Sequence, residues 1–306
     1  MLPIRAHLIK AAIRYAGTTA LAVGAVCAVK TTNPIFAQRP TVNDIVKLHA
    51  QPPAEELPNT KCPRIAVIDN FIRKNKDLDQ DGIHDTTHGD IVFRFLEEGL
   101  PNADIAKFDI DEDLPFLSYA ERVGRQLEKL IKLIEKGEKF DVVNLSFSFN
   151  RKFTNDITPD NILSHRNAII SQLAKGDYFM RGEARCVTLI EKLHKMGVKV
   201  YIGAGNAGKG EYNVLSLAQG TITVGGLNED GTKADFSADN TYVTRWNQSV
   251  FSITKTENGI DFTGNDIADM LYEDLSAAGE NLVKELFGTS FAAPTAIIED
   301  FKNCAP

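Results

Sequence analysis

The feature that most constrains this chain is a recurring alternation between short, almost wholly apolar runs of strand length and longer segments with apolar residues at helical spacing. Arg64 to Asp69 reads Arg-Ile-Ala-Val-Ile-Asp, an apolar run with none of the in-out polarity of a half-exposed strand. Ala103 to Asp109, Asp141 to Phe147, Val198 to Ala204 and Gly220 to Val224 are further strand candidates. Between them, Ile91 to Leu96 forms an apolar helical turn sequence. Tyr119 to Lys136 sets Val123, Leu127, Leu130, Ile131 and Ile134 at helical intervals, and Glu183 to Met196 repeats the pattern. Strands without polar alternation, separated by amphipathic helices, imply an α/β fold: a mostly parallel central sheet with helices on both faces. In such sheets the chemistry gathers beyond the carboxyl ends of the strands. Asp69 ends one strand and the Gly203 to Gly208 loop follows another.

Domain organisation follows from the first sixty residues. Residues 1–37 contain Arg5, Lys10, Arg14 and Lys30 and no acid, with a small and apolar run from Tyr15 to Val29 and a small residue at Ala37. A basic start, a short apolar core and a small residue read as an export signal or membrane-anchor segment. The expected location is therefore secreted, periplasmic or in the cell envelope, with transient membrane association through residues 1–37; an N-terminal helix packed on the body is the alternative. Cys27 lacks the preceding Leu of a lipidation site. Residues 38–63 form a connector with Pro52, Pro53, Pro58 and Pro63, and residues 64–306 form the folded domain.

Charge narrows the partners. Without the four positive charges of residues 1–37, the net charge of −7 becomes −11, which argues against nucleic acid. Export permits a disulfide, and Cys62 with Cys304 is the expected pair because both lie at the edges of the domain. Cys186 lies within an apolar helical pattern and is expected in the core.

Three stretches carry chemistry. In Ile65-Ala66-Val67-Ile68-Asp69 a lone carboxylate closes an apolar strand, and a charge in such a place needs a partner. His88-Gly89-Asp90 puts a histidine at the start of an apolar helix, beside a glycine that admits close backbone approach. Gly288-Thr289-Ser290-Phe291-Ala292-Ala293-Pro294 opens a helix with a serine among small residues and a proline near the first turn. Taken singly, each has a structural reading: Asp69 as a strand-end carboxylate held by backbone N–H groups, Ser290 as a helix cap, Asn206 as a turn residue.

Together, in this order, these stretches resemble the subtilase family of serine peptidases. Val67-Ile68-Asp69, His88-Gly89, Tyr201-Ile202-Gly203-Ala204-Gly205-Asn206 and Gly288 to Pro294 match its four signatures, and Asp141-Val142-Val143-Asn144-Leu145-Ser146 is similar to its substrate-binding strand. The resemblance spans residues 64 to about 300 and implies a subtilisin-like fold. It implies a serine endopeptidase with Asp69, His88 and Ser290 as the triad and Asn206 as oxyanion donor. Its substrate would be a polypeptide, aligned as an added strand by Asn144, Leu145, Ser146, Gly203, Ala204 and Gly205. No cofactor is required for that chemistry. A catalytically silent domain that binds peptides is the alternative. An esterase of the α/β-hydrolase kind would need a Gly-x-Ser-x-Gly elbow, which Ser290 lacks.

Two local expectations remain. Asp77, Asp79, Asp81 and Asp85, with Gly82 among them, have the spacing of a calcium loop, so a structural Ca²⁺ and a solvated acidic turn are both open. The twelfth position is His88 where such loops carry a Glu, and His84 reads as a solvent-exposed or loop-packing residue. Asp90 stands where the family usually has Thr, and would either raise the imidazole pKa of His88 or cap its helix.

Overall fold

The structure, a computed structural model, describes residues 61–71, 87–110, 117–152, 157–158, 160–208, 210–238, 241–252, 254–261, 270–271 and 285–304. Residues 1–37 with their export reading, most of the connector, His84 and the acidic loop of Asp77, Asp79, Asp81 and Asp85 lie outside the described residues. Among the described residues no helix is long and apolar enough to cross a membrane.

The strands are β1 (Arg64–Asp69), β2 (Asp104–Asp109), β3 (Val142–Leu145), β4 (Asn150–Lys152), β5 (Lys199–Gly203), β6 (Glu211–Asn213), β7 (Thr221–Leu227) and β8 (Arg245–Gln248), followed by shorter pairings. Six of them form a parallel sheet in the order β2-β1-β3-β5-β7-β8. The helices are α1 (His88–Gly99), α2 (Tyr119–Glu135), α3 (Ile162–Lys175), α4 (Tyr178–Lys195) and α5 (Thr289–Phe301).

The apolar run of β1 is explained by a core on each side of it. Ile65 and Val67 join a cluster with Val92 and Phe95 of α1 and Phe291, Ala292 and Ala296 of α5. Ala66 and Ile68, one residue out of phase, join the opposite cluster with Leu127 and Leu130 of α2 and Val187 and Ile190 of α4. Each face of the sheet is therefore covered. Cys186 is buried in the second cluster, its thiol against the Ala120 carbonyl, and burial pushes its pKa far above the ordinary range. Cys62 and Cys304 are joined in a disulfide that links the residues before β1 to those after α5.

Strand β8 had no counterpart among the sequence expectations. It lies at the edge of the sheet, with Asn247 and Gln248 buried, and is anchored by charge: Arg245 pairs with Glu299 and Asp300 of α5, and Asp300 also accepts from the Tyr201 hydroxyl of β5. The small side chains at 292, 293 and 296 let α5 lie close under β5 and β7.

Candidate active site

Helix α1 begins where it does because Thr87 caps it. The Thr87 hydroxyl accepts from the Asp90 N–H, and the Asp90 carboxylate in turn accepts from the Thr87 N–H, forming a reciprocal box. Asp90 also receives Lys107 of β2 at 2.8 Å. Of the two roles open to Asp90, the structure shows the cap. The Asn70 carbonyl, one residue past β1, accepts from both Gly89 N–H at 3.1 Å and the Thr87 hydroxyl at 2.8 Å. A Cβ on Gly89 would fall 2.2 Å from that carbonyl, so glycine is what lets the helix start close on the strand end. Phe71 is buried beside this junction.

The clamp sets His88 against Asp69. Nδ1 of His88 lies 3.0 Å from each Asp69 oxygen, and Asp69 Oδ1 also accepts from Asn70 N–H at 2.8 Å. Asp69 is 1% exposed, so its charge depends on these partners. A carboxylate can only accept, so Nδ1 must carry a proton, and Nε2 of the neutral ring is left with the lone pair. Burial acts to lower the His88 pKa, but the charge and hydrogen bond of Asp69 outweigh it and hold it above the ordinary histidine value.

The second half of the site forms where α5 meets the end of β5. Gly288 precedes the helix with φ +145°, a conformation that side chains resist. Thr289 is the hub here: its N–H and hydroxyl both donate to Asn206 Oδ1, at 2.8 and 2.9 Å, and its oxygen accepts from Gly205 N–H. Because an N–H must meet the amide oxygen, the orientation of Asn206 is fixed and Nδ2 is turned away. That nitrogen lies 3.0 Å from where a Cβ on Gly288 would sit, so glycine keeps the space beside it open. The N–H groups of Thr289 and Phe291 are occupied, by Asn206 Oδ1 and by Gly288 O. The Ser290 N–H between them has no acceptor among the described residues. Two unengaged donors, Asn206 Nδ2 and Ser290 N–H, thus belong to adjacent groups at a helix N-terminus, the kind of place that favours negative charge.

Ser290 itself makes a reciprocal pair with Ser146. Its hydroxyl donates to the Ser146 carbonyl at 2.7 Å, and the Ser146 hydroxyl donates to the Ser290 carbonyl at 2.7 Å. The second bond has a cause in sequence. Pro294 lies inside α5, beyond the first turn, and has no N–H to give the carbonyl four residues back, which is that of Ser290. Ser146 supplies the missing donor, and Asn144 Nδ2 donates to the Ser146 oxygen at 2.8 Å. The His88 ring lies 6.1 Å from that of Phe291, which places the imidazole beside the start of α5.

The remaining expected substrate residues lie in β3 and around the end of β5. Asn144 and Leu145 are fully buried; Asn144 pairs with both β1 and β5, and Leu145 with β5. Gly203 pairs with β7, Ala204 N–H donates to Val224 O, and Gly205 is engaged by Thr289 and by Ala238 N–H. Each of these residues thus has backbone groups engaged by a neighbouring strand or loop. Thr87, Thr289 and Pro294 were not assigned functional roles from sequence. Thr87-His88-Gly89-Asp90 does carry a legible signal, the Thr-x-x-acid spacing of a capping box. Among the described residues no group of three or more His, Cys, Asp or Glu side chains could hold a metal.

A family model described as the subtilase family matches residues 68–296. Among solved structures, the chain is similar to the epidermin leader peptide processing serine protease EpiP from Staphylococcus aureus, at 15% identity over 91% of this chain and 73% of that one, with a TM-score of 0.49. It is similar to a lanthipeptide protease at 14% identity over 78% of this chain and 72% of that one, with a TM-score of 0.49. For a cold adapted subtilisin-like serine proteinase the identity is 14% over 79% and 77%, and the TM-score 0.45. A search of curated proteins found no match.

Proposed function

The chain belongs to the subtilase family of serine peptidases, which act on polypeptides, and from that premise we propose that it is an exported endopeptidase whose nucleophile is Ser290. The observation that carries this reading is the buried Asp69–His88 pair, with both carboxylate oxygens 3.0 Å from Nδ1, beside the helix that bears the serine.

In the proposed mechanism the Ser290 side chain turns about its Cα–Cβ bond from the Ser146 carbonyl towards His88. Exchange between side-chain rotamers is fast compared with turnover. Nε2 takes the hydroxyl proton as Oγ attacks the peptide carbonyl, and Asp69 stabilises the imidazolium so formed. Negative charge developing on the carbonyl oxygen is met by Asn206 Nδ2 and the Ser290 N–H. His88 then protonates the leaving amine, and water resolves the acyl-enzyme by the same steps in reverse. No step requires a metal. Calcium held by Asp77, Asp79, Asp81 and Asp85 belongs to the proposal as a brace for the segment leading to His88. Export through residues 1–37 belongs to it too, in keeping with the Cys62–Cys304 disulfide.

A second reading, a silent domain that binds peptides, is favoured by one observation: the Ser290 hydroxyl donates to Ser146 and not to His88. A fluorophosphonate probe separates the two. The peptidase is labelled and its Ser290→Ala variant is not, with kcat/KM falling about 10⁶-fold. Folded wild-type protein that remains unlabelled would leave the silent reading in its place.

A further inference from the structure

Helix α2 buries Val123, Leu127, Leu130 and Ile131 against the sheet. On the opposite side of the same helix stand Arg125, Lys129 and Lys132, continued by Lys136 at its C-cap, all exposed. Their separations of four, three and four residues confine them to an arc of about 60° along about 16 Å of helix. The nearest carboxylates are engaged by other cations: Glu121 and Glu128 by Arg185 of α4, and Glu135 by Lys192. Arg125, Lys132 and Lys136 make no ion pair among the described residues. A basic ridge of this kind is conspicuous on a chain whose net charge is −7.

The ridge borders a groove of about 550 Å³ that Leu133 and Arg185 also line, with Glu121 and Glu128, whose carboxylates Arg185 holds. Exposed cations along an open groove describe a ligand with carboxylates, and an acidic polypeptide segment supplies them.

We propose that this groove is a docking site for an acidic stretch of the polypeptide substrate. The inference rests on the peptidase reading and extends it from the bond cut to the segment recognised. The N-terminal end of α2 reaches the active-site end of the sheet: the Tyr119 ring lies 5.5 Å from Phe147 and 6.0 Å from Phe149, just beyond Ser146. The end of the groove lined by Glu121 is therefore the one nearer Ser290. A bilayer surface fits less well, because the exposed large apolar side chains among the described residues, Leu163, Tyr178, Phe179 and Tyr242, all lie away from α2, leaving it nothing to insert.

The test uses the Ser290→Ala protein, which binds without turnover, and a fluorescent Glu-rich peptide beside its Gln-rich counterpart, followed by anisotropy. The Glu-rich peptide is expected to bind, and to weaken about ten-fold on added salt and about ten-fold in a Lys132→Glu, Lys136→Glu double variant. In the active enzyme the same double variant should raise KM for substrates with an acidic tract. It should leave kcat, and KM for a short neutral peptide, unchanged, with unaltered circular dichroism and fluorophosphonate labelling. Equal binding of the Gln-rich peptide, indifference to charge reversal, or capture of anionic vesicles or an oligonucleotide in preference to the peptide would overturn the proposal. Peptide binding that persists although wild-type Ser290 is never labelled would overturn the peptidase reading and leave the groove standing.

Discussion

The two halves of the site are held together by different means. On the β1 side a buried charge does the holding: Asp69 grips His88 through both oxygens, and the Asn70 carbonyl clamps the start of α1 against the strand end. On the α5 side the bonds are neutral and chiefly between hydroxyls, amides and backbone, and the Ser290 hydroxyl is itself tied down by Ser146. The first half is assembled before any substrate arrives, whereas the second has its donors set and its hydroxyl still to be turned. The acid–base pair should therefore fix how activity depends on pH, and the α5 side should fix the height of the barrier.

Asp69→Asn is the strongest way to break that division. It should lower kcat/KM about 10⁴-fold, because the amide no longer selects the right tautomer. It should also move the acidic limb of the pH profile. Activity needs neutral His88, and Asp69 holds the imidazole pKa above its ordinary value, so wild-type activity is lost as pH falls through that raised value. Without the anion the limb shifts to lower pH. A profile with an unmoved limb would mean that Asp69 does not govern the working imidazole. Next in size, Asn206→Ala should lower kcat about 10²- to 10³-fold with little change in KM and no shift in pH dependence. A shift would mean that the two halves are electrostatically coupled. Smallest, Ser146→Ala removes the hydroxyl that covers the Ser290 carbonyl but keeps the carbonyl that holds the Ser290 hydroxyl. It should cost about 1–2 kcal/mol in urea unfolding, with less than a ten-fold change in kcat. A large loss of kcat would place Ser146 among the groups that set the barrier.

The same contrast separates what could be read from sequence and what could not. β1 was legible because cores on both of its faces demand apolar residues at every position from Ile65 to Ile68, and a strand-end acid in that setting stands out. The sheet and its two covered faces followed from such runs. β8 was not legible, because Arg245-Trp246-Asn247-Gln248 lies at a sheet edge and draws its stability from charges some fifty residues away on α5. His88 and Ser290 could be placed in their motifs. Their immediate partners were harder, since Ser146 and Ser290 are 144 residues apart and nothing local announces their reciprocal bonds. The backbone partners of Asn144, Leu145, Gly203, Ala204 and Gly205 were hidden for a related reason. Composition shows that backbone donors exist, while only the sheet order shows that neighbouring strands and loops have already taken them.

The Cys62–Cys304 bond closes a covalent ring around a sequence separation of 242 residues, which takes in nearly the whole folded domain. Under the proposed peptidase activity this has a bearing on the molecule's own survival. A single self-inflicted nick anywhere inside the ring opens a loop but releases no fragment, and the severed ends remain tethered at high local concentration. Such a molecule would keep its original mass on a non-reducing gel and fall into two pieces under reductant, so that damage accumulates silently until the thiols are freed.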